Sequence, residues 1–364
     1  HVHSSSIIGQ KFDGTILVLG TITPMIPTVI DLHTHIVPPR WPTKLDKKFG
    51  YGGWINYKTC GNGKMNLMID GKNFRTIDDR CYSYRRRGSD CKRAKVDMQV
   101  LSPVPVMFCY WAKPNDALFV SKWVNDDIAE VVREDPNLFQ GLGTVPMQDP
   151  QVAIGELERC VNELGLRGIE IGTHVNDWNL DAPELFPVFE ACERLGVGIF
   201  IHPWEMIGTA EMPKYWLPWL VGMPAETARA ACCLHFGGVL DRLPNLKIAL
   251  AHGGGSFPYT MGRIQHGFDV RPDLCATDTQ TSPTDSLKRF YYDSLVHDAD
   301  ALRFLIDKVG VDRIAMGSDY PFPLGETKPG ELIRSMDDLH PDEQNRLLGG
   351  TAREFLGLPD EVSA

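Results

Sequence analysis

Eight short apolar runs, at residues 28–32, 96–102, 139–145, 168–171, 198–201, 247–251, 290–293 and 314–317, set the tightest limit on how this chain can fold. The intervals between them carry helical spacing. Ile154, Leu157, Val161 and Leu164 recur every three or four residues before Gly165; Val188, Phe189, Cys192 and Leu195 do the same before Gly196, and Pro187 marks a helix start. Runs that are apolar throughout describe strands buried on both faces, and their alternation with helices describes a parallel sheet under a helical layer. An open doubly wound sheet shows the same alternation. The count of eight is what predicts closure into an α/β (β/α)8 TIM-type barrel.

One interval breaks the rhythm. Roughly sixty residues separate the first run from the second, far more than an ordinary strand-to-helix connection. Within it, residues 65–69 and 73–77 flank Asp70-Gly71, a strong turn signal, so a small β-hairpin insertion is expected between the first strand and the first helix. The predicted plan is an N-terminal extension at 1–27, partly disordered, a barrel over 28–357 with its inserted segment at about 41–95, and a short tail at 358–364.

Composition narrows the partners. A formal charge of -10 argues against nucleic acid or an anionic membrane as the main partner, since both require a basic surface. No apolar run approaches the length of a membrane span. Nine cysteines without a CxxC pair suggest free, mostly buried thiols in a reducing, cytosolic compartment.

The first run leads into Asp31-Leu32-His33-Thr34-His35. Residues two apart on a strand share a face, so His33 and His35 present both imidazoles together at the strand's carboxyl end, where a barrel of this kind has its mouth. Two neutral imidazoles side by side suit a divalent metal such as zinc. An isolated HxH is more often two ordinary histidines; His1-Val2-His3, with no strand behind it, is dismissed on that ground. Here His202, His252 and Asp319 each follow a different apolar run, and strand ends converge on one mouth. Such convergence predicts a metal site. His174 and His297 also follow strands but read as structural, and Gly253-Gly254-Gly255 lacks the Lys-Ser or Lys-Thr of a phosphate loop, suggesting instead a close backbone approach to the site.

The order HxH, His, His, Asp resembles the signature of the amidohydrolase superfamily. Many members hold two metals through a carbamylated lysine ending the fourth strand. Here that strand reads Gly168-Ile169-Glu170-Ile171, so one metal is expected. The ligands implied are His33, His35, His202 and Asp319 with a water, one Zn2+ per subunit, leaving His252 as the acid–base group and Asp319 to assist the proton. Longer stretches, FGYGGW (49–54), PVMF (105–108), YWAKP (110–114), HPW (202–204), YWLPWLVGMPAET (215–227), AHGGG (251–255) and GSDYPFP (317–323), are similar to the aminocarboxymuconate-semialdehyde decarboxylases of that superfamily, and the likeness runs from about residue 28 to 358.

That resemblance implies decarboxylation of 2-amino-3-carboxymuconate 6-semialdehyde in the kynurenine branch of tryptophan catabolism. It also implies two carboxylate-binding arginines, Arg75 on the inserted hairpin and Arg263 reaching into the neighbouring subunit's site of a homodimer. Read without it, Arg75 is a solvated surface residue. Trp204, Trp219 and Phe322 would wall a flat conjugated substrate, although aromatic residues near a barrel mouth are as often plain packing. The alternatives are a related decarboxylase or hydrolase acting on an aromatic acid or lactone, and a catalytically silent barrel. One segment departs from the pattern. CYSYRRRGSDCKRAK (81–95) lacks the expected Asp-Pro helix start, and Arg85-Arg86-Arg87 with Gly88 interrupts any apolar face, which puts the packing of the early barrel in question.

Overall fold

A computed structural model describes residues 29–359. The first strand, β1 (Ile30–Ile36), is buried along its whole length. The insertion follows it as a three-stranded antiparallel sheet, β2 (Ile55–Gly61), β3 (Lys64–Ile69) and β4 (Lys72–Ile77), in that order. The expected hairpin is therefore the second half of a larger element. Its extra strand turns at Asn62-Gly63, with φ of 50° and 69°, just as the second turn at Asp70-Gly71 uses 47° and 77°. Both pairs take the left-handed conformation that a two-residue hairpin needs.

The remaining barrel strands are β5 (Met98–Pro103), β6 (Phe139–Gly141), β7 (Gly168–Ile171), β8 (Gly198–Ile201), β9 (Lys247–Leu250), β10 (Tyr291–Asp293) and β11 (Ile314–Ala315). They form two parallel arcs, β1-β5-β6 and β7-β8-β9-β10-β11. Single bridges join the arcs at both seams, Gly143 to Ile169 and Thr34 to Tyr320. The second seam is reinforced by main-chain bonds from Leu32 N to Met316 O (2.9 Å), Asp319 N to His33 O (2.8 Å) and His35 N to Tyr320 O (2.8 Å). Eight parallel strands thus close into the barrel.

Helices cover the outside: α1 (Tyr84–Ala94), α2 (Pro114–Glu134), α3 (Pro150–Asn162), α4 (Phe186–Leu195), α5 (Met223–Phe236), α6 (Phe257–Val270), α7 (Ala299–Val309) and α8 (Thr351–Leu356). Their starts follow local chemistry. Asp149 and Asp298 cap α3 and α7 by accepting from Val152 N and Ala301 N, and proline occupies the first turn of α2 to α6. Leu157, Val188, Phe189 and Cys192 face the buried strands Ile169, Ile171, Ile199 and Ile201 in one core cluster. At the other end Phe355 of α8 lies so close to β8 that a Cβ on Gly198 would meet its ring at 2.4 Å.

The segment in doubt folds into the barrel's first helix. Ser83 supplies the cap that an aspartate was expected to give, accepting from Arg86 N. Gly88 faces Leu138, and Arg87 is fully buried rather than solvated. His1-Val2-His3 and the extension at 1–27 lie outside the described residues. No described helix is long and apolar enough to cross a membrane.

Candidate metal centre and active-site cavity

The carboxyl ends of the strands bring His33, His35, His202 and Asp319 together, with one ligand atom from each inside a 4.8 Å cluster, all four side chains buried. Nε2 of His33 and Nε2 of His35 face each other at 3.1 Å, and Asp319 Oδ1 lies 3.2 Å from His35 Nε2 and 3.7 Å from His33 Nε2. The opposite ring nitrogens are already engaged. Nδ1 of His35 donates to Pro103 O (2.9 Å), Nδ1 of His202 to Pro203 O (3.0 Å), and Nδ1 of His33 to Asp293 Oδ2 (2.7 Å). In the neutral rings the converging Nε2 atoms therefore carry lone pairs. His202 Nε2 and Asp319 Oδ1 have no hydrogen-bond partner. Three imidazole lone pairs and a carboxylate oxygen turned on one point fit a divalent cation.

Electrostatics agree at His202 and Asp319, whereas His33 has a proton to lose. Burial, followed by the like charges of His35, His252 and His33, holds His202 well below its usual range, keeping it neutral. Burial opposes the charged form of Asp319, yet its close contact with His35 and the nearby His33 bring its pKa down to about 2. Burial likewise disfavours protonated His33, but the bond to Asp293 and the charges of Asp319, Asp293 and Glu170 lift it to about 9. Glu170, at the end of β7, is pushed up to about 7 by burial, with Oε2 3.9 Å from His35 Nδ1.

His252 stands beside the cluster, its ring centre 4.9 Å from that of His202 and 5.3 Å from that of His33. Burial and the neighbouring His33 lower its pKa to about 4, and its Nδ1 is buried without a partner. Its backbone adopts φ of 58° and that of Asp319 φ of 55°, a left-handed conformation that non-glycine residues hold only where the surroundings impose it. Gly253 to Gly255 approach Val296, Tyr292 and Pro224 rather than the metal cluster, where Cβ atoms would meet neighbours at 2.4 to 2.7 Å. His174 is structural, its ring bonded to the carbonyls of Asn176 and Glu205.

Above the cluster opens a cavity of about 380 Å³ lined by His35, His202 and Asp319 on its floor and by Arg75, Trp204, Trp219 and Phe322 on its walls. Arg75 projects from β4, its guanidinium 4.4 Å above the Phe322 ring and forming no ion pair among the described residues. Phe322 in turn lies 5.6 Å from the His35 ring. Arg263 is different: it is exposed on α6 and does not line the cavity of its own chain. Phe74, Arg80, Trp216 and Met223 also line it without having been singled out by sequence. Asp293 was also missed, although it closes the run at 290–293 much as Asp319 follows the run at 314–317.

A sequence profile for the amidohydrolase family matches residues 30–358. The chain belongs to that family. Among curated amidohydrolase relatives, the 2-amino-3-carboxymuconate-6-semialdehyde decarboxylase of Dictyostelium discoideum is 56% identical over 90% of this chain and 91% of its own. The Caenorhabditis elegans protein of the same name is 36% identical over 92% and 95%. A dihydroxybenzoic acid decarboxylase from Polaromonas, solved with bound manganese and the inhibitor 2-nitroresorcinol, shares the fold at a TM-score of 0.73 and 22% identity, over 90% of this chain and 96% of that one.

Proposed function

We propose that this amidohydrolase is a zinc-dependent decarboxylase converting 2-amino-3-carboxymuconate 6-semialdehyde to 2-aminomuconate 6-semialdehyde and CO2. The observation that carries the reading is Arg75. Its guanidinium, without an ion-pair partner among the described residues, hangs in the cavity opposite a buried three-histidine, one-carboxylate cluster. A planar fork of donors there suits a carboxylate of the substrate. The decarboxylase names of the relatives at 56% and 36% identity support the same substrate.

His33, His35, His202 and Asp319 would hold the ion, and three imidazoles with one carboxylate favour zinc. When bound, a divalent ion supplies Lewis acidity and water activation at this point. The protein's own groups do the rest. Arg75 orients a carboxylate, while Trp204, Trp219 and Phe322 sandwich the conjugated chain and exclude water. Loss of CO2 breaks one carbon–carbon bond and leaves its electron pair on the carbon that bore the carboxylate, which must take a proton. His252, neutral at pH 7 and with an unpartnered Nδ1, is the group placed to take a proton from water and pass it to that carbon, leaving hydroxide behind, with Asp319 as its charged neighbour.

The site is shared in a homodimer. Tyr215 and Tyr259 are each 81% exposed, with Trp216, Leu220 and Val221 also open. These exposed apolar side chains support a subunit contact, and Tyr259 stands one helical turn from Arg263. A second copy seated there brings Arg263 to the partner's substrate. The free thiols support a cytosolic setting. The test is loss of the semialdehyde's absorbance together with CO2 release, with and without a chelator, alongside metal analysis. Turnover of an aromatic acid in preference to the semialdehyde would overturn the substrate.

A further inference from the structure

Arg87 is a cation in a place where cations are costly. Its side chain is completely buried in α1, and no carboxylate pairs with it among the described residues. A buried guanidinium without a counter-charge is expensive unless its donors are satisfied, and an apolar residue would pack this helix face at less cost. Its donors are satisfied by one particular set of groups. Nη1 donates to His35 O (2.7 Å) and to Arg80 O (3.1 Å), Nη2 to Thr34 Oγ1 (2.8 Å), and Nε to Gln99 Oε1 (3.1 Å). The guanidinium carbon sits 4.8 Å from the centre of the Tyr320 ring.

These contacts fall on three walls of the site. Thr34 and His35 belong to the strand that carries two of the converging imidazoles. Tyr320 follows Asp319 directly, and Arg80 lines the substrate cavity. We propose that Arg87 is a positioning residue for the metal cluster: its fork and its stacked plane fix β1 against the Asp319–Tyr320 segment, and so set the separation of His35 Nε2 and Asp319 Oδ1 at 3.2 Å. The inference rests on the metal reading of that cluster. It assigns a purpose to the arginine run that, in sequence, only interrupted an amphipathic helix. Lysine can substitute only in part, because a single ammonium lacks the planar fork that spans these acceptors.

The test compares the full-length parent with Arg87→Met and Arg87→Lys. Metal-free proteins are titrated with Co2+ against a chelator, the visible Co2+ spectrum is recorded, and circular dichroism reports folding. The expected result is a folded Arg87→Met with roughly 10- to 100-fold weaker Co2+ binding and an altered visible spectrum, and an Arg87→Lys that recovers only part of the affinity. A folded Arg87→Met with parental affinity and spectrum overturns the proposal. Should Arg87→Met not fold, Gln99→Leu, which removes only the Nε acceptor, is read in the same way. Roughly threefold or greater weakening then supports the clamp and unchanged affinity overturns it. A parent that binds no divalent ion overturns the metal reading itself, an outcome distinct from a parent and Arg87→Met that bind equally.

Discussion

Oδ2 of Asp293 accepts from Nδ1 of His33 at 2.7 Å, with both side chains sealed from solvent. The same carboxylate accepts from the backbone N–H of His252 (2.9 Å) and of Gly253 (2.7 Å). One acidic group thereby fixes the tautomer of a converging imidazole and the loop that presents the proposed acid–base residue. Asp293→Asn keeps the shape but removes the charge and can offer an amide N–H to Nδ1, turning the ring's proton toward the cluster. Divalent-ion affinity is expected to fall roughly 10- to 100-fold, measured by chelator competition.

The pKa of about 9 at His33 has a sign that can be tested. In the metal-free protein this imidazole is raised above its unfolded value. Its contribution to stability is therefore complete below about pH 6.5 and is lost as pH rises through about 9. The metal-free protein should lose thermal stability from this group between those values. Ion uptake at pH 7 to 8 must expel the His33 proton, whereas His202 and Asp319 are already deprotonated. Calorimetry in buffers of different ionisation enthalpy should show nearly one proton released at pH 7, falling away above pH 9.

His252→Ala tests the proton carrier. The residue stands beside the cluster but is not one of its four donors. Turnover is expected to drop by about 10²- to 10⁴-fold with the ion content unchanged. Loss of the ion in this variant would move His252 into the ligand set.

A site completed across a dimer has an arithmetic signature. Arg75→Ala and Arg263→Ala, each inactive alone, should regain activity when unfolded together and refolded as a mixture. Half the dimers formed are hybrids, and each hybrid carries one intact site, giving about a quarter of parental activity. A confirmed hybrid dimer without recovery would show that Arg263 serves its own chain or none.

The sequence exposed what strand ends can announce. His33, His35, His202, His252 and Asp319 each follow an apolar run, and a barrel gathers such positions without further information. The first hairpin turn, at Asn62-Gly63, was equally visible, as a dipeptide that favours left-handed backbone, and was overlooked beside Asp70-Gly71. Asp293 was visible as the end of the run at 290–293, but neither its role nor that of Arg87 was legible. Their partners lie 260 and 52 residues away along the chain, His33 and His35, and exist only once β10 and α1 are placed against β1. The arginine run misled because charge in a helix ordinarily means solvent, and nothing local distinguishes Arg87 from exposed Arg85 and Arg86.

Thr34 and Tyr320 join the two ends of the barrel wall, and His35 and Asp319 flank that join. An ion gripped by both is a clasp on the cylinder as well as a reagent. Heat or denaturant that parts the seam scatters the donors while most strands remain paired. Loss of catalysis is therefore expected to precede loss of far-ultraviolet dichroism, with added divalent ion drawing the two transitions together.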